Sequence, residues 1–210
     1  MSRRLLKIQL LVASTLSIAM LLFAAQHRNV EAVPQFRSVM DLSSPSDSSL
    51  TSETTLIAPS KVGGAWTVES LPPARLIAPL AIVQAERKSF PNSESLVTMD
   101  DVASYERVHG AIQQGSIVLL TSSNAAAMPL LDRDALHFLV EARNVVGIGG
   151  AGAQLVSPDE NSYLARQGIY QLDNVVNLSL IPRSGMIAVA APQKIPGAAE
   201  SPVRLMALVR

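Results

Sequence analysis

Residues 115–172, GSIVLLTSSNAAAMPLLDRDALHFLVEARNVVGIGGAGAQLVSPDENSYLARQGIYQL, decide the fold class of this chain. Ile117-Val118-Leu119-Leu120 is too apolar to face water, so Gly115 to Thr121 reads as a buried strand. Asp132 to Arg143 sets Leu136, Leu139 and Val140 at helical spacing and delivers the chain into a second strand, Val145-Val146-Gly147-Ile148. Ser157-Pro158-Asp159-Glu160 then opens another helix, with a capping serine, proline at the first helical position and a glutamate at the third. Gly168 stops that helix, and Ile169 to Leu172 follows as a strand. Strands alternating with helices predict an α/β domain.

Upstream of this stretch, Phe36 to Leu42 and Leu76 to Val83 read as strands. Thr98-Met99-Asp100-Asp101 opens a helix that carries Val102, Tyr105 and Val108 as its apolar stripe and ends at Gly110. Downstream, Met186 to Ala191 and Val203 to Val209 are strands with no helix between them, so part of the sheet is antiparallel. With 210 residues and 48% hydrophobic content, one good core is the economical arrangement.

Charge and cysteine usage remove several functional classes. Seventeen basic and seventeen acidic side chains cancel without forming a block of either sign, which disfavours nucleic acid as a partner. With no cysteine there is no disulfide, thiolate metal site or cysteine nucleophile. Arg3, Arg4 and Lys7 precede an uncharged run from Ile8 to Ala25, the pattern of an export segment. Residues 1–32 are therefore expected to act as a cleaved signal peptide, with Val30-Glu31-Ala32 as an acceptable site, or as a retained membrane anchor through residues 8–25. Either outcome places the rest outside the cytoplasm, periplasmic or extracellular. Residues 33–64 are rich in Ser, Thr and Pro and read as a lead-in segment holding the first strand, with the main domain at 65–210.

Gly147-Ile148-Gly149-Gly150-Ala151-Gly152 fits the dinucleotide-binding fingerprint letter for letter, with Asp173 downstream near a strand end. In the working motif the glycine turn runs straight into a helix whose N-terminus faces the pyrophosphate. Pro158 and its capping serine restart the helix too late for that, so a Gly/Ala loop after a strand is the plainer interpretation. A dinucleotide-binding module through Gly147–Gly152 stays as a third alternative.

The run Asp173-Asn174-Val175-Val176-Asn177-Leu178, taken with Gly168-Ile169-Tyr170, Pro182, Gly185, Pro192-Gln193-Lys194-Ile195 and Ser201-Pro202-Val203-Arg204, resembles the cyclase family of metal-dependent hydrolases, which includes kynurenine formamidases. The resemblance runs from about Phe36 to the C-terminus. It implies a single compact α/β domain with a mixed, barrel-like β core and flanking helices, a homo-oligomer or partner protein, and a divalent metal such as zinc or manganese that hydrolyses amides such as N-formylkynurenine. The family's site begins HxGTHxDxPxH. Anchoring that pattern on Ala58-Pro59 puts Thr51, Thr55, Ile57 and Lys61 on the four ligand or catalytic positions, and Asn161 falls where a later family histidine stands. Asp173, a shortened form of the family glutamate, alone keeps a carboxylate.

A hydrolytic metal needs about three imidazole or carboxylate ligands to be held and to activate its water. The three histidines, His27, His109 and His137, lie in the export segment or on helices and read as surface or partly packed side chains. Lys61 suggests a cation standing where the metal charge would be, either solvated or paired with Asp173. A serine triad from Ser116 or Ser201 with His109 has no supporting motif. Asp100-Asp101 and Asp159-Glu160 are explained by helix first turns. The segment Asn124 to Leu131 is short and alanine-rich where active relatives carry a longer substrate-covering loop. The sequence thus predicts an exported cyclase-like protein that has lost metal-dependent hydrolysis, holds no cofactor, and binds a small molecule or a partner. The alternative is an active amide hydrolase with a rearranged site.

Overall fold

The structure, a computed structural model, describes residues 36–44, 53–85, 95–123 and 128–209. The predicted export segment and Thr51 lie outside the described residues. The described residues form ten strands: β1 (Ser38–Asp41), β2 (Thr55–Ile57), β3 (Ile77–Ala85), β4 (Ser95–Val97), β5 (Ile117–Ser122), β6 (Pro129–Leu131), β7 (Gly147–Gly150), β8 (Tyr170–Asp173), β9 (Met186–Pro192) and β10 (Glu200–Val209). A one-turn helix α1 (Pro73–Leu76) precedes β3, and α2 (Met99–His109), α3 (Arg133–Glu141) and α4 (Pro158–Arg166) connect the central strands.

Strands β3, β5, β7 and β8 pair in parallel, each step crossing over through one of the three longer helices. The rest of the sheet is antiparallel. β2 pairs with β8 and β10, and β9 with β3 and β10. Because β10 meets both ends of the order β2-β8-β7-β5-β3-β9, the sheet closes into a mixed barrel of seven strands, with β1 added outside along β10. Closure removes the exposed strand edges of an open sheet.

The barrel interior and its outer face form separate cores. Leu56, Leu80, Ile82, Ile117, Leu119, Tyr170, Leu172, Ala188, Ala190, Leu205 and Ala207 fill the lumen. On the outside, Val83, Val118, Leu120 and Ile148 pack against Val102, Leu136, Leu139 and Leu164 of the helices. The alternation of side chains along each strand sorts residues between the two layers.

The glycine run belongs to this packing. Gly147 and Gly149 occupy lumen positions of β7, opposite Tyr170 and Leu172. A Cβ on Gly147 would lie 2.5 Å from the Tyr170 ring, and one on Gly149 would lie 2.6 Å from Leu172 Cβ. The first two fingerprint glycines are therefore strand residues that make room for larger neighbours, Gly152 lies in the loop after β7, and the next helix begins only at Pro158.

Two start signals act as the sequence predicts. The Thr98 amide donates to Asp101 Oδ2 at 2.8 Å, and Ser157 Oγ accepts from the Glu160 amide at 3.4 Å. The division at residue 64 does not hold, because β1 and β2, both before it, pair within the sheet that the rest of the chain forms. What reads as a lead-in segment supplies one of the barrel staves.

Candidate functional site

The register of β2 decides what meets at the candidate site. Thr55 stands opposite Asp173, Ile57 opposite Gln171, and Glu200 opposite Ile57 on the other side. Leu56 and Leu172 point into the lumen, so Thr55, Ile57, Gln171, Asp173 and Glu200 share the outer face. A 3-10 turn, Pro59–Val62, follows β2, and α4 lies against it. Gly64 permits that approach, since a Cβ there would sit 2.7 Å from the Ala165 carbonyl.

Between this sheet face, the turn and α4 lies a cleft of about 390 Å³. Thr55, Ile57, Lys61, Asn161 and Asp173 all line it. Of the six positions singled out in the sequence, the five that are described thus converge, although they span more than half of the chain. Gln154, Gln171, Asn174 and Glu200 complete the polar lining; of these only Asn174, next to Asp173 in the run that carries the family resemblance, is marked in the sequence.

Asp173 is held at the end of β8 by the segment after it. Asn174 adopts a left-handed conformation with φ 57°, and its side-chain amide donates to the Glu53 carbonyl at 3.2 Å. Thr54 Oγ1 donates to the Asn174 carbonyl at 2.8 Å, while the Val175 amide reaches the Gly150 carbonyl at 2.8 Å. Asn177 is also left-handed, with its amide donating to the Asp41 carbonyl at 2.9 Å. Asparagine suits both turns because it tolerates positive φ and bonds locally. This accounts physically for the Asp-Asn-Val-Val-Asn run.

Asp173 is only 8% exposed, and among the described residues no donor reaches its Oδ1. Asn161 Oδ1 is likewise buried with no partner among the described residues. Burial pushes the Asp173 carboxyl up to about 6, with the Lys61 ammonium pulling it down and the Glu200 carboxylate adding to the rise. Lys61 itself forms its ion pair with Glu200. The predicted Lys61 to Asp173 pair is thus replaced: the ammonium acts on Asp173 through space while bonding a carboxylate 139 positions away in sequence. Both members of the real pair are half exposed, so its stabilisation is small.

The two described histidines stand elsewhere. His109 ends α2 with Nδ1 3.4 Å from Ser184 Oγ, and His137 stacks on Tyr163 with ring centroids 4.2 Å apart. Ser116 and Ser201 each donate to a backbone carbonyl, so neither forms a triad with His109. Among the described residues no group of three or more His, Cys, Asp or Glu side chains is placed to hold a metal ion. The cleft carries two carboxylates, one engaged by Lys61. Such a set does not fit the zinc or manganese of the resembled hydrolases, which calls for about three such ligands.

Comparison with known proteins adds the lineage. The Cyclase family model, described as "Putative cyclase", matches residues 26–159. The chain belongs to the cyclase family. It is 27% identical over 169 residues to isatin hydrolase of Roseibium aggregatum, covering 67% of this chain and 63% of that protein. The chain therefore spans about 63% of the length of that curated relative. The cyclase fold is shared with isatin hydrolase A from Ralstonia solanacearum, with a TM-score of 0.65 and 24% identity over 82% of this chain and 81% of the other. An isatin hydrolase bound to the product analogue thioisatinate gives a TM-score of 0.65 at 24% identity, covering 84% of each chain. Its relatives include hydrolases of amide bonds, and the α/β barrel expected from the resemblance is the one present. Asn161 and Asp173 lie beyond the residues matched by the family.

Proposed function

We propose that this cyclase-family domain binds a ligand in the cleft at Asp173 and does not carry out metal-dependent hydrolysis. One observation supports this above the others: where the family motif calls for histidines and an aspartate, the cleft presents Thr55, Ile57 and a Lys61 engaged with Glu200. A lysine ammonium beside the site opposes a divalent cation by like-charge repulsion and leaves too few ligands to hold one. The experiment is calorimetry with excess zinc or manganese, alongside hydrolysis assays on isatin and N-formylkynurenine. No stoichiometric binding and no turnover are expected; one-to-one binding with turnover would overturn the reading.

A second reading is residual amide hydrolysis at a rearranged site. It is favoured by Asp173, whose carboxyl near 6 suits proton transfer at near-neutral pH, with Asn161 beside the same cleft. An amidase activity abolished by Asp173→Ala and insensitive to chelator would establish it.

We also infer that residues 8–25 direct export. N-terminal sequencing should find a chain beginning near Val33 for a cleaved signal, or an intact N-terminus in the membrane fraction for an anchor. An intact chain in the cytosolic fraction would refute it. Light scattering on the same preparation tests the homo-oligomer implied by the family resemblance.

A further inference from the structure

We propose that the occupant of the cleft is a small amphipathic organic cation, an ammonium or amidinium on an apolar body, with its N–H groups donated to Asp173 and Asn161. This rests on the reading of the cleft as a ligand site without metal.

Three features select that chemistry. The first is hydrogen-bonding demand. Asp173 Oδ1 and Asn161 Oδ1 are buried acceptors without donors, and both residues line the cleft. A buried acceptor left unpaired is costly, so a ligand that supplies N–H donors gains what another protein group would otherwise have gained. A hydroxyl or ether ligand supplies one donor or none, whereas an ammonium supplies three and an amidinium four.

The second feature is charge. The charged residues of the lining are Lys61, Asp173 and Glu200. Lys61 and Glu200 neutralise each other through their ion pair, leaving the Asp173 carboxylate as the uncompensated charge. An anion would meet that carboxylate at short range, and the one lysine is already occupied. The site therefore disfavours a carboxylate ligand of the kind that ring-opening hydrolysis of a cyclic amide releases.

The third feature is the wall. Ile57, Ala58, Val62, Ala165 and Ile169 contribute apolar side chains to the cleft wall. A volume of about 390 Å³ falls at the small end of the ordinary range for small-molecule sites. One ring with a cationic substituent fits within it with room to spare. A cationic head on a hydrocarbon body matches a lining that combines polar and apolar side chains.

The test uses the full chain at pH 8 with four probes of equal size: benzylamine, benzamidine, benzoate and benzyl alcohol. Binding is read by calorimetry and by the rise in melting temperature. Both cations should bind at least about tenfold more tightly than benzoate or benzyl alcohol, a gap of about 1.4 kcal/mol. Asp173→Asn should remove that preference while the protein stays folded, and Asn161→Ala should weaken the cations several-fold and leave benzoate unchanged. Equal or tighter binding of benzoate, or a cation affinity indifferent to Asp173→Asn, overturns the proposal. If neither cation nor metal binds, the proposal falls and the metal-free reading stands. If zinc or manganese binds stoichiometrically and expels benzylamine, both fall.

Discussion

Replacing Asp173 by Asn removes a carboxylate that the fold holds in a poor environment, and the protein should become more stable in a pH-dependent way. Burial raises the Asp173 carboxyl from its ordinary 3.8 to about 6. A group whose folded pKa lies above its unfolded one favours the folded state while protonated. That advantage is complete below about pH 4 and is lost as pH rises through about 6. At 1.36 kcal/mol per pH unit, the gap corresponds to roughly 3 kcal/mol, and solvent at the open lip of the cleft reduces it to about 2. Asn has the shape of the protonated acid and carries no charge at any pH. Asp173→Asn should therefore exceed the parent by about 2 kcal/mol at pH 8, or about 4–8 °C in melting temperature for a domain of this size. At pH 4 the two should nearly coincide. Urea unfolding followed by tryptophan fluorescence at several pH values from 4 to 8 reads both stabilities. A variant less stable than the parent at pH 8, or a difference independent of pH, would refute the account of Asp173 as a desolvated, under-bonded carboxylate.

Three further outcomes follow from the same structure. Lys61→Met removes the cation that holds the Asp173 carboxyl down, so the pH dependence of stability should move to higher pH, with a change below about 1 kcal/mol at pH 5 because the Lys61–Glu200 pair is half exposed. Gly149→Ala places a Cβ 2.6 Å from Leu172 Cβ and 2.8 Å from Leu119 Cδ2 inside the lumen, and should lower stability by about 1–3 kcal/mol in denaturant melts. Glu106→Gln breaks a bidentate contact to Arg143 at 2.7 and 2.8 Å. The Arg143 hydrogen bond keeps the Glu106 carboxyl below its ordinary value, so the parent gains stability above that ordinary value and loses it as pH falls through the folded one. The destabilisation by Glu106→Gln should accordingly be present at pH 7 and shrink towards pH 3 in thermal melts.

The parallel half of the barrel was legible because each of its elements carries its own signal. β5 is a bare apolar run, α2 and α4 open on side chains that cap their own amides, and α3 shows its stripe. The antiparallel half was less so. β2 is three residues in a Ser/Thr-rich stretch, and becomes a strand because Asp173 and Glu200, over a hundred positions away, flank it with paired backbones. β4 and β6 pair only with each other and carry no pattern longer than three residues. The glycine run misleads as a string of letters, since the reason for Gly147 and Gly149 is the side chains of neighbouring strands.

The site divided in a similar way. The pattern anchored on Pro59 and Asp173 brought together five positions that share one cleft, because spacing along a shared scaffold places positions whatever residue types occupy them. Glu200 was invisible: Lys61 finds it through barrel closure, and no local pattern relates the two. That the buried acceptors of Asp173 and Asn161 lack donors is equally a matter of what does not reach them in space.

Closure by β10 has a mechanical side. The barrel is stitched shut where the opening residues of β10 lie beside β2, and the Lys61–Glu200 pair clips the turn after one strand to the first residue of the other. Thr55 and Ile57 hold that join from within while walling the cleft from without. A molecule seated against them would touch both lips of a zip, so occupancy of the cleft and tightness of the join are one physical quantity, and any side chain changed there alters the two together.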